Sequence, residues 1–265
     1  MVNTLKTVKN IVERHGAKYE ELNYPKRGKK SVDLLVVSQK RTFLLKVVDD
    51  YTKASRAEVE ELKKAAASLN GKPAIVSESV EDPEVSIDRG VPVIHPLALD
   101  KFLSGEKLFA IMSKGEVFIK IDHEKLRKKR EESGMSIGDV ANRVGISRIS
   151  VYEYERGIVD KVTLPVAEKL VDLFGDDILG DVMDVDLGDI VQETYTYDDS
   201  KRFKTSGYTV FEFSFTVMDF VATKGDEKIL GVVTNEESKI NETKKVERLV
   251  GGRILILDRE KGTRG

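Results

Sequence analysis

The chain of 265 residues contains no cysteine. That excludes disulfides, thiolate-bound metals and cysteine nucleophiles together. Histidine is scarce: only His15, His95 and His123 occur, far apart, without HxxxH or HExxH spacing. Each reads as an ordinary surface or boundary side chain, and neither a metal nor any other cofactor is expected. Long apolar runs are missing as well. The longest, such as Leu34–Val37 and Phe43–Val48, are strand-length, well short of the roughly twenty residues of a membrane helix. The N-terminus has neither the apolar core nor the small-residue cleavage site of a signal peptide. A cytoplasmic protein without a membrane partner is the expectation. Charge of one sign is not in surplus either: 44 basic and 46 acidic residues leave a formal net charge of −2. The chain is no polycation, so any binding to nucleic acid must come from local patches.

What is present divides by pattern into three parts, residues 1–122, 123–178 and 179–265. The first alternates helix and strand. Leu5, Val8, Ile11 and Val12 form one face of a helix. Ser31–Val37 and Arg41–Val48 are β-rich runs joined by Ser38-Gln39-Lys40, a hairpin. A second amphipathic helix over Ala54–Leu69 ends at Asn70-Gly71. Short strands follow over Pro73–Ser77 and Val91–His95, then a short helix over Pro96–Leu103. Lys107–Ile121 reads as a hairpin turning at Ser113-Lys114-Gly115. The sum is an α/β domain with a mixed sheet.

The last part opens on an acidic stretch, Asp176–Asp199, without lysine or arginine. It is expected either to lie away from nucleic acid or to serve as a flexible linker. Strands over Tyr208–Val217, Asp219–Thr223 and Lys228–Thr234 follow, then a helix over Lys239–Leu249 and a strand over Arg253–Asp258. This order echoes the first part. Asp33 and Asp219 each open a hairpin, a helix follows, and Gly71 and Gly252 each precede an apolar strand. Either a duplicated hairpin-helix-strand unit or a chance likeness of two hairpins accounts for the echo.

The middle part is helical. A first helix from His123 stops at Gly134, and Ser136 caps the next with Asp139 as the reciprocal partner. Val140, Ala141 and Val144 make its buried face, and Ala141 is small enough to let the following helix cross close by. Gly145 supplies the left-handed backbone of a tight turn, Ile146 plugs the core, and Ser147 caps a helix that runs to Glu155. These spaced constraints resemble the lambda-repressor/Cro type (XRE) helix-turn-helix family, with Leu164–Phe174 as its fourth helix and Asp177–Met183 as a remnant of the fifth. The resemblance implies that Arg148–Glu155 is the recognition helix, sized for a major groove about 12 Å wide. Its groove-facing candidates are Arg148 for a guanine edge, Glu153 for cytosine N4, Tyr152 for a thymine methyl or a phosphate, and Ser150. Arg130 and Glu155 match the family's structural ion pair. Ile137 stands where the family usually carries a phosphate-binding Gln, so phosphate anchoring falls to Ser136 backbone groups, Arg143, Arg156 or Lys161, and Ser147 is counted with the DNA-binding residues.

Asp33, its hairpin and Lys46 resemble the PD-(D/E)-x-K nucleases, notably Holliday-junction-resolvase-like domains, which implies a restriction-endonuclease-like fold. In that family an Asp, and a Glu two residues before the Lys, hold Mg²⁺ that activates water. Here Leu44 takes the Glu position, Glu13 matches the helix carboxylate, and in the C-terminal echo Leu230 and Val232 replace Glu and Lys. Glu13, Asp33 and Lys46 are therefore read as remnants of a degenerate site, with Asp49, Asp50 and Glu58 the nearby carboxylates. The loop Lys26-Arg27-Gly28-Lys29-Lys30 is either a second phosphate contact or a solvated loop.

The order of nuclease-like domain, helix-turn-helix and C-terminal α/β segment resembles an archaeal family of HTH-type transcriptional regulators. The expectation is an α+β multidomain protein, not an enzyme, that binds double-stranded DNA sequence-specifically as a homodimer on inverted half-sites. The 107–121 hairpin is its candidate dimerisation edge. A metal-dependent nuclease guided by its helix-turn-helix and a protein-interaction scaffold are the alternatives.

Overall fold

The computed structural model describes residues 2–81, 85–188, 190, 192 and 194–258. Helix α1 (Val2–Arg14) precedes strands β1 (Lys18–Glu21), β2 (Leu34–Ser38) and β3 (Arg41–Val48), helix α2 (Arg56–Ser68) and strand β4 (Lys72–Ser77). β1, β2 and β3 pair antiparallel, and β4 joins β3 in parallel. A parallel neighbour needs a long crossover, which α2 provides, started by a capping box between Ser55 and Glu58. The β2–β3 turn carries Gln39 and Lys40 through positive φ of 50° and 64°, the mirror-image turn that matches strand twist. Strands β5 (Val85–Asp88) and β6 (Val91–Ile94) and helix α3 (Pro96–Leu103) complete a six-stranded mixed sheet, ordered β1-β2-β3-β4-β6-β5.

Alternation along β3 decides which residues can meet. Phe43, Leu45 and Val47 pack with α1 and α3, whereas Leu44 and Val48 pack with α2 on the opposite face. Lys46 points the same way as Leu44, toward α2.

The middle unit begins inside the hairpin of β7 (Ala110–Ser113) and β8 (Glu116–Lys120). Helices α4 (His123–Glu132), α5 (Ile137–Val144) and α6 (Arg148–Glu155), strand β9 (Lys161–Thr163) and helix α7 (Leu164–Phe174) follow. β9 pairs with β8, so one edge of the hairpin is already occupied within the chain. Ile119 and Ile121 are buried with Leu126, Val140, Val151 and Leu170, while Ile111 reaches the core under α1 and α3. The hairpin thereby ties the helical unit to the first sheet.

Two expectations about the next segment are corrected. The fifth-helix remnant over 177–183 is not a helix: a 3-10 turn (Asp176–Ile178) is followed by a β-bridge from Leu179 to Ile121. Nor is the acidic stretch a free linker. Ile178, Val182 and Met183 are fully buried, Leu187 and Ile190 pack against the core under α2, and Lys72 donates to the Val185 carbonyl at 2.9 Å. Apolar side chains interspersed among the carboxylates dock the segment as a strap. Residues 189, 191 and 193 of that stretch lie outside the described residues.

The last unit repeats the first. Helix α8 (Asp198–Thr205), strands β10 (Thr209–Glu212), β11 (Phe220–Lys224) and β12 (Glu227–Val233), helix α9 (Glu237–Val250) and strand β13 (Arg253–Leu257) follow in the same order. The pairing is again antiparallel, antiparallel, then parallel across the helix. The strand expected to reach Val217 stops at Glu212, because Phe213 and Val217 leave the sheet for a core shared between the units. That core joins Leu22, Leu35 and Leu62 to Phe211, Val221 and Val246.

The seam is reciprocal. Glu61 of α2 accepts from the N–H groups of Ser214 and Phe215 at 2.6 Å each, and Lys64 donates to the Glu212 carbonyl at 2.7 Å. Glu242 of α9 accepts from the Asn23 N–H at 2.8 Å, and Lys245 donates to the Glu21 carbonyl at 2.9 Å. The same Glu-x-x-Lys spacing on each helix grips the end of the other unit's first strand. Among the described residues, no helix is long and apolar enough to cross a membrane.

Candidate nucleic-acid interface

Local chemistry sets the angle between α5 and α6. The Ser136 hydroxyl accepts from the Asp139 N–H, and Asp139 accepts from the Ser136 N–H at 2.8 Å. The Ser136 hydroxyl also donates to the Asp139 carboxylate at 2.7 Å, and this bond first, then that from the Ser136 N–H, holds the Asp139 carboxyl below its usual range. Gly145 ends α5 in the left-handed region, φ 81° and ψ 38°, and its N–H returns to the Ala141 carbonyl. Ser147 then caps α6 by accepting from the Ser150 N–H at 2.9 Å. Val140, Ala141, Val144 and Val151 close the inner side. The expected turn is present.

A buried fork locks α6 against α4. Arg130 donates from Nε and Nη2 to the two carboxylate oxygens of Glu155, at 2.5 and 2.9 Å, and from Nη1 to the Met135 carbonyl at 2.9 Å. The Glu155 side chain is 5 % exposed, so the charges are held out of water in one geometry. The expected ion pair is therefore structural.

The outer side of α6 is open. Arg148, Ile149 and Tyr152 are exposed, and Glu153 is half-buried. The Arg148 guanidinium lies over Gly138, where a Cβ would stand 3.0 Å from its Nε. It makes no hydrogen bond or ion pair among the described residues. Arg143, in the last turn of α5, and Arg148, the first residue of α6, both bear on the Asp139 carboxylate. Arg156 lines an open groove with Arg127 and Lys128 of α4. Ser147 and Ser150 are engaged with each other at 2.9 Å, so their hydroxyls serve the cap before any base. Lys161 is half-buried, stacked on the Phe118 ring at 5.3 Å. Sequence reasoning missed Ile149, 69 % exposed, because an aliphatic residue in a helix suggests core.

The second candidate patch is divided. Lys26 and Arg27 are exposed, but Lys29 lies over the Phe215 ring at 5.6 Å and Lys30 pairs with Asp33 at 2.7 Å. Among the described residues, only Lys30 of the four cations is held by a carboxylate, and Lys29 is exposed beside its ring.

The three residues read as nuclease remnants do not gather at one point. Glu13 is exposed on α1 and accepts from the Tyr19 hydroxyl, on the face of the sheet away from Lys46. The carboxylate that reaches Lys46 is Glu58, at 3.0 Å from Nζ, and Lys46 also donates to the Lys30 carbonyl at 2.7 Å. Burial raises the Glu58 carboxyl, yet bonds from Ser55 and Lys46 outweigh it and hold it at about 2, against an ordinary 4.5. Asp33 accepts from the Val47 N–H at 2.8 Å and from Lys30. Leu44, at the metal-ligand position, is 1 % exposed and packs so close to Gly71 that a Cβ there would fall 2.5 Å from its Cδ1. These residues do not fit a divalent cation: one ligand position is hydrocarbon and the remaining carboxylates are held by lysines. Among the described residues, no three acidic or histidine side chains gather as a metal site.

Comparison with known proteins finds family matches in the first and middle parts of the chain. The PD-(D/E)XK superfamily domain matches residues 1–108, and a helix-turn-helix family matches residues 126–176. A relative from Sulfurisphaera tokodaii is 36 % identical, over 97 % of this chain and 90 % of its own length. One from Sulfolobus acidocaldarius is 32 % identical, over 98 % and 91 %, and one from Saccharolobus islandicus 34 %, over 94 % and 85 %. All three carry names that give them, provisionally, as HTH-type transcriptional regulatory proteins. No solved structure matches.

Proposed function

This chain belongs to the archaeal family of HTH-type transcriptional regulatory proteins, and from that premise we propose that it regulates transcription by reading double-stranded DNA with α6 in the major groove. One observation carries the proposal: the left-handed turn at Gly145 projects an α6 whose inner side is locked by Arg130 and Glu155 while Arg148 and Tyr152 face outward. Arg148 then reads a base edge, Glu153 and Tyr152 contribute to readout, and Arg143 and Arg156 meet phosphates on either side. Binding as a homodimer on inverted half-sites completes the reading, and the site of action is the cytoplasm. The first and last units act as a scaffold rather than as a nuclease, since their carboxylates are paired with lysines.

Selection of bound sequences from random duplex DNA tests the reading and returns a motif with its symmetry. Arg148→Ala should weaken the selected site far more than random DNA. Equal loss on both would count against direct readout. Cleavage of duplex or branched DNA with Mg²⁺ or Mn²⁺, abolished by Asp33→Asn, would favour the nuclease reading instead.

A further inference from the structure

Ile149 is the most exposed large apolar side chain among the described residues, at 69 %, and Tyr152, one turn further along α6, is 49 % exposed. Residues three apart are neighbours on a helix surface, so the two form one apolar ridge. A single exposed isoleucine elsewhere would need no explanation. This one sits on the outer side of the second helix of the motif, directly after Arg148, and its polar neighbours are committed: Ser147 and Ser150 hold each other and the cap. Cations frame the ridge at both ends, Arg148 as the first residue of α6 and Arg156 at its close. A surface that is apolar in the middle and basic at its edges complements a groove floor flanked by phosphates. On that floor the apolar group is the C5-methyl of thymine.

Resting on the DNA-reading role proposed above, we infer that Ile149, supported by Tyr152, selects thymine by contact with its C5-methyl group, and so biases the site toward A·T pairs at the positions under the start of α6. Arg148 contributes a hydrogen-bonded contact beside it, and Ile149 an apolar one that tolerates no polar edge. The substitution of Ile149 leaves the core untouched, because Val151 and Glu155 alone of α6 are buried.

The test uses the full chain and its selected duplex, with each thymine replaced in turn by deoxyuridine, which removes the methyl and keeps the pairing. At one or two positions deoxyuridine should weaken the wild type about fourfold, the equivalent of about 0.8 kcal/mol for one buried carbon. Ile149→Ala should bind the thymine site about as weakly as the wild type binds the deoxyuridine site, with no further loss when both changes are combined. Indifference of the wild type to every deoxyuridine replacement would overturn the inference, as would a loss that persists undiminished in Ile149→Ala. So would a dimer that dissociates on Ile149→Ala in sedimentation while DNA binding is unchanged, since the ridge would then face a second copy. Failure of the wild type to prefer any sequence would instead sink the regulator reading itself.

Discussion

Lys239 of α9 donates to both carboxylate oxygens of Asp219, each at 2.7 Å, and occupies in the last unit the place that Glu58 of α2 holds in the first. The aspartates correspond in detail. Asp33 accepts from the Val47 N–H and Asp219 from the Val233 N–H, each fourteen residues further on. In the first unit β3 supplies a buried cation, Lys46, and the helix the anion, Glu58; in the last the helix supplies the cation, Lys239, directly to Asp219, and Val232 stands where Lys46 does. Each unit thus balances its charge at the same point of the fold by a different choice of residues.

Lys239→Met leaves the buried Asp219 carboxylate without its cation and should cost about 3–5 kcal/mol in urea unfolding. Adding Asp219→Asn, which keeps an acceptor for the Val233 N–H, should recover most of that loss. A single variant as stable as the double would show that the pair is not what holds this point together.

Protonating Glu58 should weaken the fold in acid. Its folded carboxyl is held at about 2, below the ordinary 4.5. A depressed acid stabilises fully above the unfolded value, and that contribution is lost as pH falls from about 4.5 through about 2. Glu58→Gln should be less stable at neutral pH and should show a shallower fall in melting temperature across that window. Parallel curves for variant and wild type would refute the assignment.

Two glycines should respond to alanine for different reasons. A Cβ at Gly231 would fall 2.1 Å from the buried Phe220 ring, an overpacking that costs about 1–3 kcal/mol or more. At Gly145 the nearest atom is the flexible end of Lys169, at 3.6 Å, and the penalty is the left-handed backbone, about 1–2 kcal/mol. Calorimetry should therefore rank Gly231→Ala as the more damaging.

Arg130→Lys should fail to rescue what Arg130→Met removes. The guanidinium fork meets both Glu155 oxygens and the Met135 carbonyl at once, which a single ammonium cannot do. Both variants should lower the melting temperature, and both should weaken binding to a selected duplex even where the unit remains folded. Full activity of the lysine variant would show that charge alone suffices.

Local rules were enough for the helix-turn-helix. Its caps at Ser136 and Ser147 and its left-handed Gly145 join residues close in sequence, so the pattern carries the geometry, whereas the Arg130–Glu155 pair was implied only by the family resemblance. The two hairpins, each followed by a helix, were also readable, since alternation and turn residues are short-range signals. Strands β1 and β9 and helix α8 were not. β1 and α8 are short and polar, β9 is three residues long, and their conformation comes from partners distant in the chain.

Which charges meet was decided only by packing. In sequence Glu13 matches the family's helix carboxylate and Glu58 is only one of the nearby carboxylates, yet β3 directs Lys46 to the face that α2 covers, and α1 lies on the other. Tertiary contact alone likewise turned an acidic stretch into a docked strap and joined two echoed units through one core. The residues themselves settled what each segment can form. Its neighbours settled what each side chain touches, because burial and charge pairing depend on distances that the order of residues does not contain.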